Sequence, residues 1–369
     1  MIRILVFGMT ENPGGVESFI ISYYRRLNGN GMRFDFLCND SGTIAYQEEL
    51  TANGSRIFRV TARSRNPGAY RREMNAFFQE HARDYDVIWV NLCSLANIDY
   101  LKLALKSGIP RRIIHSHNSM NMDGRLRGLL HALNRRRIDQ YATDFWACSN
   151  DAAQWFYREG LMDKVVLVQN AIEVDQFAFS PARRSEIRQF LGCGDDCCLI
   201  GNVGRLHFQK NQMFALEVFK QFLNRIPNSR LVLIGQGEDA EKLRQRAKEL
   251  DIESCVSFAG VQRNISDWLS AMDVFLFPSK FEGLGIAALE AQANGLPVLA
   301  SGGVIPAEVG LSAYYQTCDL DAPPEDWAEK LEALYGLKRQ SSSDMKRLFR
   351  EKGFDIAEES EKLRELLLK

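Results

Sequence analysis

The sequence predicts an α/β protein built from two parallel-sheet domains, and three observations carry that expectation. At 369 residues the chain is too long for one core of ordinary size and suits two. Short apolar runs alternate with amphipathic segments along its length, the rhythm of βαβ units whose sheets are covered on both faces. Strand ends also run repeatedly into glycine-containing loops that open onto helices, which is where open α/β sheets hold ligands.

Composition bounds the class. With 46% hydrophobic and 25% charged residues the chain reads as a soluble globular protein. A net charge of −1 provides no global field to draw it to nucleic acid. The balance is uneven: residues 1–190 hold 25 basic against 20 acidic residues, leaving 21 against 27 for the rest. A basic first half suits a phosphate-bearing or membrane-surface partner, or is a set of solvated arginines. The eight cysteines lack a CxxC pair, and the group Cys193, Cys197 and Cys198 cannot form a zinc site alone. Free core cysteines fit a reducing, cytoplasmic setting. Residues 1–7 read as a first strand rather than a leader, and no stretch of 18 apolar residues suggests a membrane span.

In chain order, residues 2–7 form an apolar strand that enters the loop 8–17, followed by a helix over 18–27. The spacing is not G-x-G-x-x-G, so the loop is either a plain βα turn or a phosphate-type opening without a dinucleotide fingerprint. Strands follow at 33–38, 56–60 and 87–90, with helices over 69–81 and 94–106. The next strand starts at Arg111 and ends in His115-Ser116-His117-Asn118-Ser119. Two histidines two apart point the same way in extended chain, yet no third metal ligand is evident. Residues 123–142 predict a helix dense in arginine, with Arg125, Arg127, Arg135, Arg136 and Arg137 beside Leu126, Leu129, Leu130, Leu133 and Ile138. It either lies on an anionic membrane or packs by its leucines with the arginines in water. Residues 145–149 are another strand, with Ser149 as the cap of a helix over 152–158.

The second half opens with a linker and helix over 179–194, then a strand over 198–204. Arg205 and Lys210 follow, five residues apart between Gly204 and a helix from Gln212. A guanidinium fork and an ammonium at one strand end can grip a pyrophosphate, whereas the same spacing at random would be two surface cations. A strand over 230–235, the turn Gly235-Gln236-Gly237, a helix over 239–250 and a strand over 256–260 come next. Phe275-Leu276-Phe277 is a buried strand leading to Glu282-Gly283-Leu284-Gly285 and a helix over 286–294, closed by Gly295 and Pro297. A helix start beside glycines offers N–H groups to an anion. Glu282 and Glu290 would lie near one face, about 12 Å apart if both were helical. That suits two contacts to one long ligand better than a glycosidase pair. A strand over 314–319, a helix over 327–335 and an amphipathic terminal helix over 356–368 complete the chain.

The run E-G-x-G-x-x-x-x-E-A-x-A-x-G-x-P-V from Glu282 to Val298, with V-G-R-L-x-x-x-K-N from Val203 to Asn211, resembles the signature of the retaining, nucleotide-sugar-dependent glycosyltransferases of family 4. The loop ending Gly14-Gly15-Val16-Glu17, the H-S-H element and the passage Asn170 to Phe177 extend the resemblance over nearly the whole chain. In that passage Ala171 and Glu173 replace the usual Gly and Asp. The resemblance implies a GT-B fold: two Rossmann-like domains facing across a cleft, here residues 1–178 and 179–354, with the helix of 355–369 crossing back.

It further implies that Arg205 and Lys210 neutralise a pyrophosphate and that Glu290 accepts hydrogen bonds from ribose. Glu282, with Gly283, Leu284 and Gly285, would hold sugar hydroxyls and the distal phosphate. Gly204, Gly235 and Gly237 would shape the nucleotide pocket. His117 would lie near the donor sugar, with Gly14 and Gly15 bordering the phosphates and acceptor. The expected reaction is hexosyl transfer from a UDP- or GDP-sugar to a glycan or lipid-linked saccharide in capsule or exopolysaccharide synthesis. It would need no metal or other cofactor, and no nucleic acid is expected as a partner. The setting would be the cytoplasm, with contact at the inner membrane face as an option. A sugar-nucleotide epimerase of the same fold and a non-catalytic nucleotide or carbohydrate binder are the alternatives. R-L-x-x-x-K-N and E-x7-E argue against the first. A nicotinamide dehydrogenase would need the dinucleotide loop that is missing.

Overall fold

The computed structural model describes residues 1–11, 14–39, 42–118 and 124–369. It divides into two compact units, one of Met1–Ala171 with Ile356–Lys369 and the other of Ile172–Asp355. The first carries a seven-stranded sheet: β1 (Ile2–Phe7), β2 (Met32–Cys38), β3 (Ile57–Arg59), β4 (Val87–Leu92), β5 (Arg111–Ser116), β6 (Asp144–Ala147) and β7 (Val165–Leu167). Its order is β3-β2-β1-β4-β5-β6-β7, and every pairing is parallel. The apolar runs are continuous because both faces are buried. Leu5, Ile88, Val90 and Ile114 face helices Pro67–His81 and Asp99–Lys106, while Ile4, Val6, Trp89 and Ile113 lie with helix Gly15–Leu27. The terminal helix Ile356–Leu368 belongs to this second layer, where Ile356, Leu363 and Leu367 share a core with Phe19, Ile20 and Tyr23.

The second unit has a six-stranded sheet: β8 (Cys198–Val203), β9 (Ser229–Ile234), β10 (Val256–Gly260), β11 (Val274–Phe277), β12 (Val298–Ser301) and β13 (Tyr315–Cys318). The order is β10-β9-β8-β11-β12-β13, again parallel throughout. Its core joins Leu199, Val232, Phe275, Phe277, Ala288 and Leu289 on one side of the sheet and Ile200, Leu216, Phe219, Leu231 and Trp327 on the other.

The units divide ahead of the expected residue 178, because Ile172 and Val174 bury themselves in the second core and Ile172 N donates to Phe354 O at 2.9 Å. Two short helices were not anticipated, Gln47–Ala52 and Ser342–Glu351. The helix expected over 94–106 begins only at Asp99, because Asn97 Oδ1 accepts from Asp99 N at 3.1 Å and turns the chain there. The arginine-rich helix spans Arg125–Arg135 and is followed by a 3-10 turn at Ile138–Gln140; Asp123, expected at its start, lies outside the described residues. Among the described residues no helix is long and apolar enough to cross a membrane.

Strand order reverses direction between β1 and β4 in the first sheet and between β8 and β11 in the second. The crevice beyond the carboxyl ends of the strands at such a reversal is where an open α/β sheet binds ligands.

Candidate active site

At the reversal of the second sheet, three loops are fused by their backbones. Gly204 N donates to Ile234 O at 2.9 Å and Leu206 N to Gln236 O at 3.0 Å. A Cβ on Gly235, which has φ +137°, would sit 2.0 Å from Gly204 O, and one on Gly237 would sit 2.2 Å from Leu206 O. Only glycine lets the two loops touch main chain to main chain. The loop after β8 is also tied to the loop after β11: Lys280 N donates to Gln209 O at 2.7 Å, and Gln209 Nε2 to Phe281 O at 3.0 Å. Gln212, buried at the start of helix Gln212–Arg225, donates to Arg205 O at 3.0 Å and Asn202 Oδ1 at 3.3 Å. It clamps the strand end to the helix.

This frame positions Lys210. Its ammonium donates to Glu282 Oε1 at 2.7 Å and lies 4.9 Å from the centre of the Phe277 ring. The two side chains are 18% and 7% exposed. Gly204 leaves room for the lysine stem, since a Cβ there would come within 2.9 Å of Lys210 Cε. Glu290 lies in the field of the same ammonium. Burial pushes its carboxyl up to about 7, and Lys210 pulls it partly back.

Glu282 lies ahead of the helix expected over 286–294 and Glu290 within it, so the spacing of two helical residues does not apply to the pair. The helix begins at Ile286, so Glu282 stands on the preceding loop and folds onto Lys210. Gly285, at φ +84°, turns the chain into the helix without a side-chain cap, and buried Leu284 anchors the loop. Arg205 is placed differently. It is 68% exposed and donates to Glu238 Oε2 at 3.0 Å, while His207 Nε2 meets the other oxygen of that carboxylate at 3.2 Å. The two cations thus pair with different carboxylates, on the loops after β9 and β11. Glu238 and Gln212 were missed from sequence. An acid directly after the Gly235-Gln236-Gly237 turn was the available signal for the first.

At the reversal of the first sheet, Asn91 and His117 meet. Asn91 Nδ2 donates to Phe7 O at 3.3 Å, so its Oδ1 faces His117 and accepts from Nε2 at 2.9 Å. That fixes the imidazole with a bare Nδ1, buried and without a hydrogen-bond partner among the described residues. Burial lowers the His117 pKa to about 3. The same cause, with His117 beside it, holds His115 well below its ordinary value. Both rings are therefore neutral near pH 7; they lie 4.2 Å apart, with Phe19 edge-on to each.

Gly15 opens helix Gly15–Leu27, and Gly14 N donates to buried Glu17 at 3.0 Å. The same carboxylate accepts from Thr10 N at 3.1 Å and from the Thr10 hydroxyl. Glu17 therefore staples the loop to the helix start, a role the sequence reading did not give it. Asn12 and Pro13 of this loop and Ser119 after His117 lie outside the described residues. Among the described residues no three His, Cys, Asp or Glu side chains group as metal ligands would.

The comparisons agree with the geometry in class. The Glycosyltransferase Family 4 model matches residues 13–176, and the model for Glycosyl transferases group 1 matches residues 183–352. HepE of Anabaena, solved with UDP and glucose, superposes with a TM-score of 0.79 at 18% identity over 100% of this chain and 99% of its own. A glycosyltransferase from Rickettsia africae gives 0.81 at 15% identity, over 99% and 97%. The two sheets thus form a GT-B fold. The chain belongs to the glycosyltransferases of family 4 and group 1, and it is similar over nearly all of its length to a Bacillus subtilis (strain 168) protein named as the glycosyltransferase EpsF. Identity with that protein is 29% over 96% of this chain and 93% of the relative. A UDP-Gal:alpha-D-GlcNAc-diphosphoundecaprenol alpha-1,3-galactosyltransferase of Escherichia coli is 31% identical over 39% of this chain and 35% of its own. The Vi polysaccharide biosynthesis protein VipC/TviE of Salmonella typhi is 32% identical over 41% and 28%. The family thus has members in polysaccharide biosynthesis.

Proposed function

We propose that this glycosyltransferase is a retaining enzyme that takes a sugar from a nucleotide diphosphate sugar and gives it to a glycan or lipid-linked saccharide in surface polysaccharide synthesis. UDP is the favoured nucleotide over GDP. The observation that carries the reading is the cluster of Lys210, Glu282 and Glu290 at the reversal of the second sheet, beside a helix start without a side-chain cap. A pyrophosphate docked against Lys210 and the N–H groups at the start of helix Ile286–Ala293 meets positive charge from both. As the bond from the sugar to the diphosphate breaks, negative charge builds on the leaving group, and Lys210 stabilises it there. Arg205 adds a second cation from the same loop.

The pair with Glu282 fixes the ammonium before substrate arrives. Once phosphate shares Lys210, Glu282 and the backbone of Gly283, Leu284 and Gly285 accept and donate to sugar hydroxyls and the distal phosphate. Glu290 accepts from the ribose hydroxyls, which calls for its ionised form. Gly204, Gly235 and Gly237 give the nucleotide a wall of bare backbone. In the first unit, His117 offers Nδ1 as an acceptor toward a sugar hydroxyl, and Gly14 and Gly15 serve the acceptor side. The acceptor hydroxyl attacks on the face the diphosphate leaves, and the departing phosphate oxygen takes its proton. Cationic side chains and helix N–H groups supply the charge, so the reaction runs without a divalent metal or other cofactor, in the cytoplasm. The choice of UDP is supported by the nucleotide bound to HepE and by the donor in the name of the Escherichia coli relative.

Purified protein incubated with UDP- or GDP-sugars, candidate acceptors and EDTA tests this. The expected result is acceptor-dependent release of nucleoside diphosphate and a product that keeps the donor's anomeric configuration by NMR. An inverted product, or release that requires added divalent ion, would overturn the mechanism.

A further inference from the structure

Helix Arg125–Arg135 docks onto the first unit by its polar side. His131, 2% exposed, accepts from Leu95 N at 3.0 Å through Nδ1, and its Nε2 meets Trp155 O at 3.2 Å. Its ring stacks on Trp155 with centres 4.2 Å apart. Asn134 donates to Leu95 O at 2.7 Å, and Arg135 donates to Tyr157 O at 2.6 Å. These bonds fix the helix so that its apolar stripe faces away from the core. Leu126, Leu129 and Leu133 are 72%, 59% and 50% exposed, and their spacing of three and four residues lines them along one face. An ordinary surface helix buries that stripe. Of the two alternatives, packing by the leucines is corrected for Leu126, Leu129 and Leu133, while Leu130 is half-buried and Ile138 buried.

The charge around the stripe identifies what covers it. Residues 125–137 contain five arginines and no Asp or Glu, and Arg125, Arg136 and Arg137 are exposed. We propose that this helix is a docking surface for an anionic lipid bilayer. The three leucines enter the boundary between headgroups and acyl chains, and the flanking guanidiniums pair with lipid phosphates. A second copy of the chain seated on the leucines would bring two such arginine clusters together, which like-charge repulsion opposes. The surface is chemically independent of the Lys210 cluster, so the two readings stand or fall separately.

Cosedimentation of the whole chain with vesicles tests the inference. Binding is expected to phosphatidylglycerol-containing vesicles, weakening as salt is raised, and not to vesicles of phosphatidylcholine alone. The triple change Leu126→Ser, Leu129→Ser, Leu133→Ser should weaken binding by about ten-fold or more, with the thermal unfolding midpoint unchanged because the leucines are exposed. Arg125→Gln, Arg136→Gln and Arg137→Gln together should weaken it similarly and flatten the salt dependence. Lys210→Ala should bind vesicles as the parent does. The inference is overturned if the parent chain does not bind the anionic vesicles or if the leucine variant binds them unchanged. A parent that instead forms a dimer, which the leucine variant breaks, would overturn it too.

Discussion

Replacing Lys210 with alanine perturbs the proposed mechanism at its centre. The ammonium is 2.7 Å from Glu282, and neither side chain is more than 18% exposed. Three consequences follow from that geometry. The charge facing the leaving group disappears, which should lower kcat by about 100-fold or more, or roughly 2.7 kcal/mol at the barrier. Glu282 also loses its partner. Breaking a fully buried pair costs about 3–5 kcal/mol, and water admitted beside Gly204 should bring this to about 1–3 kcal/mol. At roughly 2–4 °C per kcal/mol for a unit of this size, the unfolding midpoint drops by several degrees. Finally, Glu290 loses the cation that pulls its carboxyl down, so its pKa rises further above about 7. The assay is acceptor-dependent release of nucleoside diphosphate, run beside thermal unfolding with and without nucleotide. The expected signature is a kcat loss much larger than the change in donor KM, because the interaction strengthens in the transition state. Lys210→Arg should recover part of the rate by keeping the charge. A folded Lys210→Ala protein with near-parental turnover would refute the reasoning.

Other consequences can be checked alongside it. Glu290 binds its proton more tightly folded than unfolded, so its contribution to stability is full below pH 4.5 and is lost as pH rises to about 7. Glu290→Gln should remove that slope, worth at most about 3 kcal/mol, and raise the unfolding midpoint above pH 7 relative to the parent. In the parent, nucleotide affinity measured by calorimetry should fall as pH drops below 7, where Glu290 takes up its proton. Gly237→Ala places a methyl group 2.2 Å from Leu206 O. It should cost about 1–3 kcal/mol in unfolding assays and abolish the thermal shift given by nucleotide. Asn91→Leu leaves His117 Nε2 and Phe7 O without their partner. A loss of about 1–3 kcal/mol is expected, with imidazole ¹⁵N shifts reporting a changed tautomer.

Much of this was written in local patterns. Strand runs such as Ile4-Leu5-Val6 and Phe275-Leu276-Phe277 are apolar throughout because both faces are covered, and that alone places them in parallel sheets. The motif around Gly204, Arg205 and Lys210 was legible because a strand end, a glycine and two cations carry a meaning at fixed spacing. The pairing of those cations was not. Whether Lys210 meets Glu282 while Arg205 meets Glu238 depends on how loops after β8, β9 and β11 stack, and that is set by glycines far apart in the chain. Asn91 was hidden for a related reason, since one polar residue ending an apolar strand gains its role only when β1 and β5 become its neighbours. The leucine stripe of residues 126–133 was visible as a pattern, but its outward direction follows from polar bonds to Leu95, Trp155 and Tyr157 that no periodicity encodes.

The terminal helix Ile356–Leu368 completes the core that begins with β1, so the second unit is spliced into the first rather than following it. During synthesis, Phe19, Ile20 and Tyr23 must wait for Ile356, Leu363 and Leu367, while the spliced unit already holds all its own residues and can close earlier. Trimming the last turns of the chain should therefore loosen the opposite end of the sequence first.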